Sequence, residues 1–572
     1  MAKTLVNNKR IAILGGGPSA LFMYKRLVET KRNDISVDIF ERKQQLGSGM
    51  PYSAEGANDE HVTNVSGNEI PDLVTPIHEW IKTVHNDTLL KYRIDPAKFN
   101  DYKVLPRLLF GRYLADQFKL LQQNAKEAGI ETTVHYNSAV TDITDDPESE
   151  TVSVEINNNE NFEYDQVIVC TGHNWLKKKE ETVPGWFDSP YPPAKLAFRA
   201  NHPVAIKGSS LTAVDAIRTL SRHNGAYDKD AKGKLTYTVS PESPNFKIVL
   251  HSRNGLLPAV RFHLEDSHLE NDSLLTEEEI AAHMKNNDGF LSLDFIFKND
   301  FKAIIKEKDP EFYARIRDLD MEAFVEMMMG FRESQDAFDL LKAEYAEAEQ
   351  SIRNKESVYW KEMLGVLSFA MNYPAKHFSA EDMQRLQKVL QPLISVVIAY
   401  IPQSSCEELM ALHNAGALDI LPVGNDSFVE PGDESGAVYH YTDESGKEQA
   451  VHFETYIDSV GQQHLSYGDF PFKGLLDART ISPARLRFKD QSIGKAAMEN
   501  CDDKVDLDHK GIYYLRVPGI AINDSFQIVD GYGALNNRIY MMAVPYIGGF
   551  NPDYSGLDFS EEASGRIIES MF

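Results

Sequence analysis

Four residues near the start of the chain have the types and spacing to hold a phosphorylated coenzyme. Gly15, Gly17 and Ala20, in "KRIAILGGGPSALFMYKRL", follow an apolar strand and open an amphipathic helix. In such a turn the first glycine makes the tight bend, the second lets backbone amides approach a pyrophosphate, and the small third residue lets helix pack on strand. Pro18 and Ser19 sit between them at the helix N-terminus, whose N–H groups aim at an anion. The fourth residue, Glu41, ends the alternating strand "ISVDIFER", 21 residues beyond Ala20. A carboxylate there binds the ribose hydroxyls of an adenosine. Arg42 follows it.

The elements that position these residues recur. At 203–217, "PVAIKGSSLTAVDAI" again reads as strand, turn and helix, with Gly208, Ser210 and Ala213 in the fingerprint positions and Ser209 and Thr212 among them. Ser210 replaces the second glycine and crowds the phosphate approach. Two readings stay open: a nucleotide site with a shifted pyrophosphate, or a module that has lost its nucleotide. The hairpin and apolar strand at 151–172, ending in Thr171 and Gly172, are repeated at 437–461, ending in Gly461. The expectation is two related α/β modules. The second module's strand "KIVLHSRNG" carries Arg253 where an NAD-specific site favours a carboxylate, so NADPH is expected in preference to NADH.

Composition restricts the alternatives. The chain has 572 residues and a formal net charge of -27, which would repel a phosphate backbone and argues against nucleic-acid binding. Its 3 cysteines, Cys170, Cys406 and Cys501, are far apart and form no CxxC, which argues against a disulfide framework, a thiolate metal site or a dithiol centre. No secretory signal and no apolar run of transmembrane length is apparent, so no membrane association and a cytoplasmic location are expected. HExxH, GxSxG and Walker motifs are absent. "HLEDSHLE" reads as a solvated acidic segment rather than a metal site.

With these motifs in view, the chain resembles the bacterial FAD-NAD(P)-binding family of flavoproteins with two dinucleotide-binding domains. That family is distantly similar to N-hydroxylating flavin monooxygenases. The resemblance rests on "ERKQQLGSGMPYS", "HVTNV", "VLPRLLFGRYL", "VIVCTGH", "GSSLTAVDAI" and "SRNGLLP", with "ELMALHNAGALDIL" further on. It implies FAD on the first module and NAD(P)H on the second, and it places Gly49, His61, Asn64, Val65, Arg107, Val140, Thr171 and Gly172 among the cofactor-binding positions. Residue by residue, Gly49 reads as backbone against a flat ring or as a surface turn. His61 and Asn64 read as flavin contacts or as satisfied loop residues. The anion facing Arg107 is either the FAD pyrophosphate or a nearby carboxylate. His173 and Trp175 face the substrate side or serve packing. Val544-Pro545 stands where such flavoproteins often have a Gly-Asp pair, leaving Gly548, Gly549 and Asn551 as the C-terminal flavin candidates.

Between these modules the periodicity turns helical. Ser379 and Asp382 mark a helix start, Met383, Leu386, Val389 and Leu390 share a face, and Pro392 is expected to interrupt. Ser405 and Glu408 repeat the start signal before a helix stopping at Gly416. Met327, Met328 and Met329 read as core filling or as the lining of an adaptable apolar pocket. The fold expected is α/β, with two Rossmann-like dinucleotide-binding domains and a largely helical insertion. The FAD domain covers 1–200 and is completed by 505–572, the NAD(P)H domain covers 201–261 and is completed by 401–504, and the insertion covers 262–400. The function expected is an FAD-dependent, NADPH-consuming monooxygenase. It would act through a flavin C4a-hydroperoxide on dioxygen and a small-molecule substrate, an amine or amino acid. The alternatives are a reductase or dehydrogenase without oxygen insertion, and a non-catalytic flavin-binding protein.

Overall fold

The computed structural model describes residues 8–173, 175, 177–265, 274–462, 464–550, 554 and 556–572. Two largely parallel sheets form its frame. The first has the order Gln527–Val529, Leu535–Met541, Gln166–Val169, Lys9–Leu14, Ile35–Glu41, Glu131–Tyr136. The second has the order Trp186–Phe187, Thr455–Asp458, Pro203–Lys207, Lys247–Ser252, Leu418–Pro422. Strands buried on both faces must be apolar throughout. Ile11 to Leu14, Val167 to Val169 and Val204 to Ile206 are buried, as that rule requires.

The repetition read from the motifs is present at the level of single hydrogen bonds. Gly15 N–H donates to Phe40 O at 2.9 Å and Cys170 N–H to Leu14 O at 2.8 Å. In the second module Gly208 N–H donates to His251 O at 2.8 Å and Ser459 N–H to Lys207 O at 2.8 Å. A three-stranded antiparallel sheet precedes the closing strand in each module: Val140–Asp146, Thr151–Ile156 and Glu160–Tyr164 in the first, Phe428–Pro431, Ala437–Thr442 and Glu448–Phe453 in the second.

The module boundaries differ from those expected. Trp186 pairs with Tyr456 and Phe187 with Ile457, so the chain joins the second sheet before residue 200. It also leaves that module soon after Asp458, not at 505. Leu465, Phe470, Phe472, Leu475 and Ile481 enter the core of the first module. The sheet Pro483–Arg487, Tyr513–Ile520, Val505–Leu507 straddles the expected boundary, and cutting it would sever its ladder hydrogen bonds.

The middle of the chain is helical from Glu277 to Val397. Ser379 caps its helix as expected, accepting from Asp382 N–H at 3.1 Å. Pro392 does not end the helix. A π-helical stretch, Leu386–Leu390, precedes it, and Gln391–Val397 continues with the proline in its first turn. The widened π-helical turn accommodates the ring and the missing N–H within a continuous helix. Ser405 and Glu408 do not start a helix either: that helix is Gln403–Asn414 with Pro402 at its cap, and both side chains bind Arg218, at 2.8 Å and 3.0 Å. A guanidinium arriving from another element outcompetes the local capping bond.

Candidate functional site: two facing glycine turns

Gly15 has φ +103, a conformation that L side chains avoid, and a Cβ on it would stand 2.6 Å from Cys170 O. Gly17 is the N-cap of helix Pro18–Glu29, and no side chain caps that helix, so its first-turn amides are left for an anion. The loop after Glu41 folds onto this turn: a Cβ on Gly49 would lie 3.3 Å from Gly17 Cα and 2.9 Å from Pro18 Cδ. The carboxylate of Glu41 is buried. Its Oε2 accepts from Gly16 N–H at 2.8 Å and its Oε1 from Lys43 N–H at 2.9 Å, with lone pairs remaining for ribose hydroxyls. Beside Gly15, the Thr171 hydroxyl is buried with no hydrogen-bond partner. An orphaned hydroxyl next to a bare helix N-terminus and a glycine bend fits a dinucleotide's phosphates and sugar.

The second turn repeats this plan with changes. Gly208 has φ +102, and a Cβ would meet Ser459 O at 2.9 Å. Ser210 is the N-cap of helix Leu211–Asn224 without capping it. Ser209 Oγ donates to Leu256 O at 2.6 Å, and Thr212 borders Gly461. Ser459 Oγ is buried without a partner, as Thr171 Oγ1 is in the first module. The strand register adds a finding that spacing alone did not give. Since Leu14 pairs with Phe40 and Lys207 with His251, the counterpart of Glu41 is Ser252, with exposed Arg253 following. A carboxylate that would repel a 2'-phosphate is thus missing at the position itself.

Several expected flavin contacts are committed elsewhere. His61 is fully buried; its Nδ1 accepts from Asn58 N–H at 2.8 Å and its Nε2 meets Asp215 O at 3.1 Å. The anion of Arg107 is the Asp215 carboxylate, which also accepts from Tyr191 Oη at 2.6 Å. That ion pair raises the Arg107 pKa against the opposing effect of burial. Asn64 offers its carbonyl to Arg261, and the Val65 carbonyl accepts from Thr63 Oγ1 at 2.7 Å. These residues bind the two modules and the middle region together, because Asp215 lies on the second module's helix and Arg261 leads into the middle region. Arg42 is exposed and pairs with Glu55 at 3.2 Å, while Val140, half-buried, pairs with Ile156. Asn551 lies outside the described residues.

The carboxyl ends of the two central strands meet. Cys170-Thr171-Gly172-His173 follows one and Ser459-Val460-Gly461-Gln462 follows the other, and His173 Nδ1 lies 2.6 Å from Gln462 Oε1. Equivalent positions of the two modules therefore touch. Beside them a cleft of about 340 Å³ is lined by Trp175, Asp458, Gly461, Gln462 and His464. His464 also borders a larger cleft of about 820 Å³, walled by Gly548, Gly549 and Arg516 on one side and by Lys388 and Gln391 of the middle region on the other. Both His173 and His464 are open to the solvent, yet enough protein surrounds them for desolvation to lower their pKa. The sequence had pointed to His173; it gave no signal for Gln462 or His464, which follow no fingerprint.

Two Rossmann-like sheets whose carboxyl-end loops touch form an α/β fold of the flavoprotein type, with two dinucleotide-binding-like modules. Residues 12–174 match the FAD-NAD(P)-binding family and residues 276–398 the YdhS-like middle domain. The chain is 29% identical over 476 residues to the uncharacterized protein YdhS of Escherichia coli (strain K12), covering 82% of this chain and 86% of that one. Among solved structures it is similar to L-lysine 6-monooxygenase from Pseudomonas syringae, with TM-score 0.45 and 11% identity over 99% of both chains. It is also similar to the cadaverine monooxygenase DfoA from Erwinia amylovora, with TM-score 0.44 and 11% identity over 98% of this chain and 94% of the other. The bacillithiol disulfide reductase Bdr from Staphylococcus aureus gives TM-score 0.41 and 10% identity over 99% and 98%. Among the described residues no helix is long and apolar enough to cross a membrane, and no cluster of metal-binding side chains occurs.

Proposed function

We propose that this protein is an FAD-dependent, NADPH-consuming monooxygenase acting on an amine or amino acid. The observation that carries this reading is the contact of the loops after the two closing strands, His173 Nδ1 lying 2.6 Å from Gln462 Oε1, which brings equivalent corners of the two modules together. When bound, FAD supplies the redox centre and NADPH the hydride. The chain's own residues do the positioning. The helix after Gly17 and the Thr171 hydroxyl hold the first nucleotide, with Glu41 on its ribose. The turn at Gly208–Ser210 and the Ser459 hydroxyl hold the second, with Arg253 beside the adenosine end. Trp175 and Leu465 narrow the junction against water.

Cysteine chemistry supports a small oxidant over a dithiol relay. Cys170 and Cys406 are buried, and burial raises both thiols above their ordinary range. Cys501 alone is exposed. Electrons leaving the flavin therefore have no cysteine pair to enter.

A reductase without oxygen insertion is the second reading, favoured by the breadth of the larger cleft and by Lys504 and Arg516 on its wall, which keep it wet. Oxygen uptake with NADPH, measured alongside product analysis in an amine and amino-acid screen, separates the two. Hydroxylated product stoichiometric with oxygen consumed supports the monooxygenase. Substrate turnover under anaerobic conditions overturns it.

A further inference from the structure

The helical middle region contains a further cleft that shares no lining residue with either of the two that His464 borders. It encloses about 580 Å³ among helices Pro310–Ile316, Met321–Glu333, Ala337–Asn354 and Tyr359–Ala370. Its walls are Phe312, Met327, Met328, Phe331 and Trp360, and Phe331 is 63% exposed, high for a phenylalanine with a groove beside it. Methionine side chains shape themselves to irregular apolar ligands. Both readings left open for the methionine run hold: Met327, Met328 and Met329 pack against the core, and Met327 and Met328 also line this cleft.

Arg332 lies in the same wall, 2% exposed. Its Nη1 donates to Glu344 Oε1 at 2.6 Å, and the Lys361 ammonium donates to that same oxygen at 2.9 Å. Two buried cations thus share one buried carboxylate, and the second acid, Glu347, reaches Lys361 from a half-exposed position. The other edge of the guanidinium, Nε and Nη2, is buried without a hydrogen-bond partner. Those two N–H groups are parallel and match the two oxygens of a carboxylate. Leaving them unpaired is costly.

We infer that this cleft binds a small carboxylic acid with an apolar body, the carboxylate on the vacant edge of Arg332 and the body between Met327, Met328 and Trp360. The site is separate from the nucleotide turns and works whether or not the flavin is reduced. Calorimetry of the full-length, FAD-loaded protein with decanoate tests it, with decan-1-ol as the neutral control. Two variants are compared: Arg332→Lys, which keeps the charge facing Glu344 but loses the paired donors, and Met328→Asp, which leaves the ion cluster intact and sets a negative charge in the wall. The expected result is saturable binding of decanoate to the wild type, weakened about tenfold or more in either variant and for the alcohol. Absence of saturable decanoate binding, equal binding of decan-1-ol, or unchanged affinity in Met328→Asp would overturn the inference. Should Arg332→Lys fail to fold, Met328→Asp decides alone.

Discussion

Thr171 Oγ1 is a buried hydroxyl without a partner, a condition that costs about 1–3 kcal/mol unless a ligand supplies one. Thr171→Val is therefore expected to leave the cofactor-free protein as stable as the wild type, or about 1 kcal/mol more stable. It should lose FAD severalfold more readily on dilution, followed by flavin fluorescence. Arg107 has the opposite character. Its charge meets Asp215, whose side chain is only 6% exposed, across the junction of the two modules. Arg107→Met strands that carboxylate and should cost about 3–5 kcal/mol in urea unfolding, whereas Arg107→Met combined with Asp215→Leu recovers most of the loss. A coupling near zero in this cycle would show that the pair does not hold the modules. The glycine turn was legible in the sequence because its demands fall within six residues, Gly15 to Ala20. The partner of Arg107 was not, since it lies 108 residues away and either kind of anion satisfies a guanidinium.

At the scale of elements, the two modules are copies whose differences are informative. Phe40 of the first is replaced by His251 in the second, buried and stacked on Tyr439 with ring centroids 4.0 Å apart. Burial lowers the His251 pKa to about 4. A histidine whose folded pKa lies below its unfolded value takes up its proton more readily when unfolded, so stability is lost as pH falls through the window from about 6.5 to about 4. The loss should be on the order of 2–3 kcal/mol. His251→Phe, which restores the residue of the first module, should remove that part of the acid sensitivity in unfolding curves at successive pH values; an unchanged pH profile would show that another group governs it. Ser252 is the counterpart of Glu41, so Ser252→Glu is expected to shift coenzyme preference from NADPH towards NADH, read as the ratio of the two reduction rates. Register made this position visible, because counting along the strand alone had pointed one residue further to Arg253. Helix starts were legible where the capping bond is local, as at Ser379. They were misread at Ser405, where Arg218 from another helix of the same module takes the hydroxyl, and at Pro392, which a π-helical turn accommodates.

The whole molecule is two dinucleotide-binding-like modules and a helical middle region sharing buried cores. Helix Ala337–Asn354 contributes Phe338, Leu341 and Ala348 to the core of the second module, while Leu364, Leu367 and Leu390 belong to that of the first. The fold class was readable from strand, turn and helix patterns that each occur twice. The point where the chain returns to the first module was not, because residues 465–487 carry no fingerprint and are placed by burial and by strand pairing with residues 514–520. Across the junction, His173 and Gln462 bring equivalent corners of the two modules together, and the proposed function sends electrons across there from NADPH to FAD. Anaerobic mixing of the FAD-loaded protein with NADPH or NADH, followed by the visible flavin band, tests it most directly. Bleaching by NADPH, faster than by NADH, is the result predicted. A protein that takes up no FAD, or one whose yellow colour persists with both coenzymes, would contradict it.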